Sequence, residues 1–264
     1  MDGLVKETDM TETIKTSRWQ KPLLMLILAL IHRIFDVLVQ IWMFTSTSIK
    51  KFTQRHHNIQ QDFNAIRNAS LATLTKKPNH IAIALLEPKI SLQEVAKLIV
   101  FCVASGSKGI SLYDVKGFLK SYQNELKDHV KYFVKFLDQD IYLDWNKLSN
   151  QPEKGTTVCL LSREDGQADI VQAAKKVASN IANGNMNIEE VNEGLLEAYL
   201  GSSKGLPDPE ILLRFGLSHS NQGYPPWQLR LSEIHDIDTH HGVSSRDFFN
   251  VLLKYSKCEQ RFGQ

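Results

Sequence analysis

The sequence predicts an α/β protein whose mostly parallel sheet is covered by helices on both faces, preceded by an amino-terminal hydrophobic helix. Three observations carry this expectation. From residue 80 onward, short apolar runs alternate with helical patterns. Those runs are continuously apolar rather than alternating, as strands buried on both faces are. Residues 23–44 form a strongly hydrophobic stretch, long enough for a helix on the scale of a bilayer.

Composition narrows the classes. The 264 residues include 42% hydrophobic and 23% charged side chains, ordinary for a globular protein. That length has room for one large domain plus an appendage. A net charge of +2, with acids interleaved among the bases, gives no nucleic-acid footprint. Cys102, Cys159 and Cys258 are far apart and build neither a disulfide framework nor a zinc cluster. Free thiols and a globular part facing the cytosol are expected.

Residues 1–22 are polar and aperiodic and are expected to be disordered. Residues 23–44 would make a helix about 33 Å long. His32, Asp36 and Gln40 recur every four residues and share one face. Apolar residues favour insertion by roughly 0.3–0.6 kcal/mol each, while Arg33 and Asp36 cost about 2.5–3.5 kcal/mol each, so central placement sums to near zero. A membrane helix is expected, either spanning with a polar stripe or lying at the interface. A cleaved signal peptide fits poorly, because the run starts late, is too long and lacks a small-residue cleavage site. Residues 45–79 carry Lys50, Lys51, Arg55, His56, His57, Arg67, Lys76 and Lys77, which reads as a basic juxtamembrane linker, with a solvated linker or amphipathic helix as the compatible simpler reading. His56-His57 has no third ligand nearby.

Within 80–264, strands are predicted over 80–86, 109–113, 156–162, 211–215 and 228–234. Helices are predicted over 91–105, 114–137, 167–182, 188–200 and 244–257. Ser91 and Ser244 are the expected N-caps, with Glu94 at the capping-box position and Gly106 just past the first helix.

Ligands of such sheets gather at the carboxyl ends of the strands. Leu86-Glu87-Pro88-Lys89 follows the first strand without a glycine-rich loop, and no Walker A, GxGxxG or GxSxG pattern occurs. Asp114 reads as an N-cap rather than a catalytic acid. Ser162-Arg163-Glu164-Asp165-Gly166 could bind an anion at a helix start, but its two acids argue against that. Arg214 ends a strand as a cation, with a structural ion pair to Asp208 or Glu233 as the simpler reading. From chemistry alone, the domain lacks a self-sufficient active site.

Five segments, in order, resemble the cis-prenyltransferase family of undecaprenyl and dehydrodolichyl diphosphate synthases. His80-Ile81-Ala82-Ile83-Ala84-Leu85-Leu86 resembles its HIAFIMD strand, and Gly109-Ile110-Ser111-Leu112-Tyr113 its second strand. Gly166-Gln167-Ala168-Asp169-Ile170-Val171-Gln172-Ala173 resembles GGRxDIVQA, Asp208-Pro209-Glu210-Ile211-Leu212-Leu213-Arg214 resembles DPDLLIR, and Pro226-Trp227-Gln228 with Glu233 resembles LLWQxxYxE.

The resemblance implies a cis-prenyltransferase-like fold over 80–264, and its departures imply a lost activity. The aspartate that binds magnesium diphosphate in catalytic members is Leu86 here, which offers no hard oxygen ligand. The GGR arginine is Gln167, and the arginine of the RxxSN cluster is lost before Ser220-Asn221. Arg214 and Glu233 survive at positions serving diphosphate and magnesium, which makes Glu233 a degenerate metal candidate and Arg214 a possible substrate contact. Arg261-Phe262-Gly263 matches the family's RxG motif, which in dimers crosses into the partner's site. Its place after helix 244–257 gives it weight.

This combination is similar to the Nogo-B receptor group of accessory subunits. It implies a subunit at the endoplasmic reticulum membrane, bound to a catalytic paralogue. Arg261, Phe262 and Gly263 would contact isopentenyl diphosphate in the partner's site, where Mg2+ is bound, to support dolichol synthesis for glycosylation. A membrane receptor or lipid-trafficking scaffold is one alternative, and a self-sufficient homodimeric enzyme using Glu87 is the other.

Overall fold

The computed structural model describes residues 20–53, 59–135, 137, 141–145, 155–201 and 206–259. The chain divides into two compact units at Ile49 and Lys50.

Helix α1, Gln20–Thr53, supplies the first unit. Its apolar side chains, among them Leu26, Leu30, Phe35 and Leu38, are exposed. His32 lies 3.9 Å from Asp36, so the polar residues do share a face. Among the described residues no helix is long and apolar enough to cross a membrane.

The second unit is a six-stranded sheet covered by helices. Its strands are β1 (His80–Leu85), β2 (Gly109–Asp114), β3 (Leu143–Trp145), β4 (Thr156–Leu161), β5 (Ile211–Phe215) and β6 (Glu233–Ile237). They lie in the order β3-β4-β2-β1-β5-β6, and every pair is parallel. The helices are α2 (Ile59–Thr73), α3 (Leu92–Ala104), α4 (Phe118–Ser121), α5 (Gln123–Val134), α6 (Gln167–Ala182), α7 (Glu193–Tyr199) and α8 (Ser245–Lys257).

The sequence of β1 explains its central place. Ile81, Ile83 and Leu85 enter the main core with α3, α5 and α8, while Ala82 and Ala84 face the other side. Two alanines leave room there for Tyr113 and Tyr224, whose rings meet edge to face at 5.3 Å. All six β1 residues are buried, as a continuous apolar run predicts. The caps also form as expected. Ser91 accepts from the Glu94 N–H, and Ser244 and Asp247 make a reciprocal capping box.

Four expectations need correction. The helix expected over 114–137 is broken: Asp114 ends β2, Gly117 takes a left-handed φ of 70° before α4, and α5 begins only at Gln123. The segment 228–234 is not one strand, because Pro225 and Pro226 start a 3-10 turn, Pro226–Leu229, and the strand begins at Glu233. The helix expected over 188–200 splits into a 3-10 turn, Ile188–Glu190, and α7, capped where Asn192 Oδ1 accepts from Leu195 N–H at 2.9 Å. The three-residue β3, too short to announce itself, was not expected.

The fourth correction matters most. Much of the stretch read as a linker over 45–79 is helix α2, packed on α8 and α3. Phe63 and Ile66 are buried in the main core, and buried Asp62 accepts from Ser245 Oγ at 2.5 Å. The folded domain therefore starts by Ile59, ahead of residue 80. Ile66→Ala should cost about 2–5 kcal/mol of stability in urea unfolding, whereas a solvated linker position would change it by at most about 0.5 kcal/mol.

Candidate functional site

Two clefts open at the carboxyl ends of the strands. One, of about 560 Å³, is walled by Leu86, Glu87, Pro88, Lys89, Asp114 and Lys116. The other, of about 1040 Å³, is walled by Lys116, Lys120, Ser162, Arg163, Gln167 and Gly223. The loops between them are tightly seated. A side chain at Gly166 would meet Gly223 O at 2.3 Å, so the turn before α6 needs glycine to approach the loop over 222–223. Tyr113 OH donates to Gln222 O at 2.7 Å from the other side.

Glu87 points inward. Its side chain is only 6% exposed, and that of His240 is fully buried. Glu87 Oε2 accepts from the His240 ring and, at 2.9 Å, from its backbone N–H. His240 Nε2 accepts from Ser91 N–H at 2.9 Å. That bond leaves the ring proton on Nδ1, where it faces Glu87. Burial alone would push the Glu87 pKa up. The His240 donors and the Thr239 hydroxyl outweigh it and hold the carboxyl below its ordinary value.

Arg214 is equally committed. It sits in β5 directly opposite Asp236 in β6. Its Nε and Nη2 reach the two Asp236 oxygens at 2.5 and 2.9 Å, and Nη1 reaches Asn221 Oδ1 at 2.9 Å. The guanidinium holds the Asp236 carboxyl at about 2, below its usual 3.8. The ion pair expected for Arg214 thus exists, with Asp236 in place of Asp208 or Glu233. Asp208 instead pairs with Arg230 at 3.2 Å.

The remaining sequence-derived positions are dispersed. Leu86 borders the smaller cleft. Gln167 lies exposed on the larger one. Ser220 is exposed beside Ser218. Asp114 takes three backbone N–H groups, from Lys116, Phe118 and Leu119, and so caps the turn into α4. Asp165 closes a capping box with Ser162 and binds Lys120, which explains why that loop is acidic. Glu233 starts β6, at the opposite end of the sheet from Leu86. There it lies 2.8 Å from His235 Nε2, and its carboxylate raises the pKa of the Cys258 thiol, which itself donates to Glu259 O at 3.9 Å. Glu233 is therefore remote from the strand-end clefts. Arg261, Phe262 and Gly263 lie outside the described residues. Of the cysteines, Cys102 and Cys159 are buried and Cys258 is exposed.

Magnesium needs several oxygen ligands in near-octahedral array. Leu86 gives none, Glu87 and Asp114 are committed to donors, and Glu233 is at the far end, so the described residues do not fit the ion. Donor atoms of Glu87, His240 and His241 do come within 4.8 Å of one another, a nitrogen–oxygen set that suits zinc better. Both nitrogens of His240 are already in hydrogen bonds, so this trio is a structural joint rather than a prepared metal site.

Sequence reasoning missed His240, Asp236 and Asn221. His240 announced itself only as one of two adjacent histidines after a strand. Asp236 lies beyond the strand expected over 228–234, and its role becomes visible only once β5 and β6 are paired in register.

A six-stranded all-parallel α/β sheet with two clefts at the carboxyl ends of its strands defines the class of protein, one that binds its ligands at strand ends. Residues 118–263 match the family described as "Putative undecaprenyl diphosphate synthase". The dehydrodolichyl diphosphate synthase complex subunit Nus1 of Mus musculus is 35% identical over 206 residues, covering 74% of this chain and 69% of that one. The subunit nus1 of Schizosaccharomyces pombe is 28% identical over 242 residues, covering 84% and 90%. The crystal structure of lavandulyl diphosphate synthase from Lavandula x intermedia shares the fold, with a TM-score of 0.56 at 19% identity over 71% of this chain and 99% of that one. The chain belongs to the cis-prenyltransferase (undecaprenyl diphosphate synthase) family.

The Arg214–Asp236 pair makes a pH-dependent contribution to stability. Because the Asp236 pKa is depressed on folding, the contribution is complete above about pH 4 and is lost as pH falls toward 2. Asp236→Asn should lower stability at pH 7 by about 1–2 kcal/mol, allowing for the partial exposure of Asp236. The difference between variant and parent should shrink between pH 4 and 2 in chemical denaturation. In a second measurement, millimolar Mg2+ should leave the melting temperature of the isolated chain unchanged, whereas an ion at 100-fold over its Kd would add about 2.7 kcal/mol.

Proposed function

We propose that this chain is the non-catalytic subunit of a heteromeric cis-prenyltransferase, acting through Arg261, Phe262 and Gly263 in the site of a catalytic paralogue. One observation carries the proposal. Glu87 and Arg214, two groups that could have gripped a magnesium diphosphate, are each committed to a partner inside the chain, beside a leucine at position 86. The relatives from mouse and fission yeast, named as subunits of a dehydrodolichyl diphosphate synthase complex, support the same reading.

In this account the partner supplies the magnesium site and the tunnel for the growing chain. Arg261 places a planar guanidinium against the diphosphate of isopentenyl diphosphate, where two parallel hydrogen bonds fix its orientation. Gly263 lets a backbone N–H come close to the same group. Holding the nucleophile's diphosphate in place lowers the barrier to its condensation, with cis stereochemistry, onto the allylic substrate. The product is the polyprenyl precursor of dolichol, used in protein glycosylation. Helix α1 attaches the subunit to the cytosolic face of the endoplasmic reticulum membrane, with its apolar residues in the interface and the stripe of His32, Asp36 and Gln40 toward the headgroups.

The chain, a catalytic paralogue and the mixture should be assayed separately. Polyprenyl diphosphate is expected from the mixture and not from the chain alone. The Arg261→Ala complex should assemble and turn over about 10²-fold more slowly. Full activity of that complex, or synthesis by the isolated chain, would refute the proposal. A receptor or scaffold would be indifferent to removal of 261–264. Deletion of 23–44 should release the protein from sedimenting vesicles.

A further inference from the structure

We propose that Glu233, His235 and Cys258 form a zinc site that fastens the end of α8 to the edge strand β6.

The three side chains come from two elements. On β6 the pleat sends residues 233, 235 and 237 to one face, and Ile237 packs there against the main core that α8 enters. Ile234 and Asp236 point the other way and are exposed. Glu233 and His235 are therefore neighbours on the inner face, and His235 Nε2 stands 2.8 Å from Glu233 Oε1. Cys258 follows the last turn of α8, where the backbone becomes extended, and it is exposed. The Glu233 carboxylate raises the pKa of the Cys258 thiol, against the opposing charge of Lys76. The sulfur thus belongs to the same cluster as the strand pair.

The pair on β6 is not satisfied by the protein around it. Among the described residues, Glu233 Oε2 and His235 Nε2 are shut off from solvent without a hydrogen-bond partner. The close approach of Nε2 to Oε1 is not an aligned hydrogen bond. A carboxylate oxygen held this way carries the desolvation cost of a charge without a donor to offset it. The surroundings indicate which kind of partner would relieve it. Glu210 and Glu233 both act on the Tyr255 hydroxyl, and Glu259 acts with Glu233 on the thiol. Lys76 is the cation set among them, over the Tyr255 ring at 4.1 Å. Such a field attracts a further cation.

The donor set selects the metal. A carboxylate oxygen, an imidazole nitrogen and a thiolate sulfur suit zinc, with bonds of about 2.0–2.3 Å. Magnesium calls for oxygen throughout. Around a tetrahedral ion the oxygen and nitrogen ligands lie roughly 3.3 Å apart, so Glu233 and His235 need separate by only about half an ångström. The exposed Cys258 side chain is free to turn toward them. Zinc displaces the thiol proton as it binds, and three protein ligands leave the fourth position to water.

The full chain, stripped of metal by a chelator, should be titrated with Zn2+ alone against a chromophoric competitor. About one equivalent should bind with micromolar or tighter affinity. Binding should tighten about tenfold from pH 7 to pH 8, because one thiol proton leaves with each ion bound. It should also shield Cys258 from a thiol reagent, to which the buried Cys102 and Cys159 contribute nothing. With Co2+ in place of Zn2+, a sulfur-to-metal charge-transfer band should appear. Cys258→Ser and His235→Gln should each weaken binding by more than about 100-fold, and Cys258→Ser should remove the band. Metal-free melting temperatures equal to the parent's separate ligand loss from misfolding. His241→Gln, in the trio with Glu87 and His240, should bind zinc as the parent does. Parental binding in Cys258→Ser, with loss in His241→Gln, places the ion at that trio and overturns the proposal. Millimolar affinity indifferent to all three substitutions, with thiol reactivity unchanged by zinc, means an adventitious ion only and overturns it as well.

Discussion

Glu87 leaves the end of β1 facing the protein interior, where three donors from Thr239 and His240 meet it. A buried carboxylate is tolerated only when it is satisfied in this way. The consequences spread along a short chain of bonds. His240 can present a proton to Glu87 because its other nitrogen accepts from Ser91 N–H, and Ser91 is also the cap of α3. Gly242 N–H reaches Glu94 in the same helix at 3.3 Å. One carboxylate thus joins the loop after β1, the start of α3 and the turn that leads into α8. The loop after β1 is thereby part of the framework.

Arg214 is committed within the chain in a similar way. A cation at the end of a strand, facing a cleft, is an inviting ligand for a phosphate. Here the neighbouring strand places Asp236 directly across the ladder, and its carboxylate closes the fork of the guanidinium. The described clefts keep their shape and some surface charge, from Lys89, Lys116 and Arg163, without a group buried and free to hold a doubly charged headgroup. The sheet itself depends on side chains such as Ile81, Ile83 and Leu213, not on these loops.

The sheet was legible from sequence because β1, β2, β4 and β5 are buried on both faces and read as unbroken apolar runs. The helix caps were legible because Ser91 and Ser244 act locally. The boundaries that failed depended on glycine and proline acting against a longer pattern, as at Gly117 and Pro225, or on length too short for a pattern, as in β3. The α2 segment was missed because its buried residues include Asp62 and Ser70, and Asp62 is matched only by Ser245, 183 positions away. At the candidate site, the missing ligand at Leu86 could be read directly. The reason Glu87 does not replace it could not, because His240 reaches it only through the fold.

The distribution of thiols has a practical consequence. Cys102 and Cys159 are sealed in the core, and burial drives the Cys102 thiol to a still higher pKa. Cys258 is exposed at the end of α8, with its proton retained by Glu233. A thiol-directed fluorophore added to the folded protein therefore attaches at one position, and faster in alkaline buffer because the thiolate is the nucleophile. The chain carries its own reporter site at the end of α8.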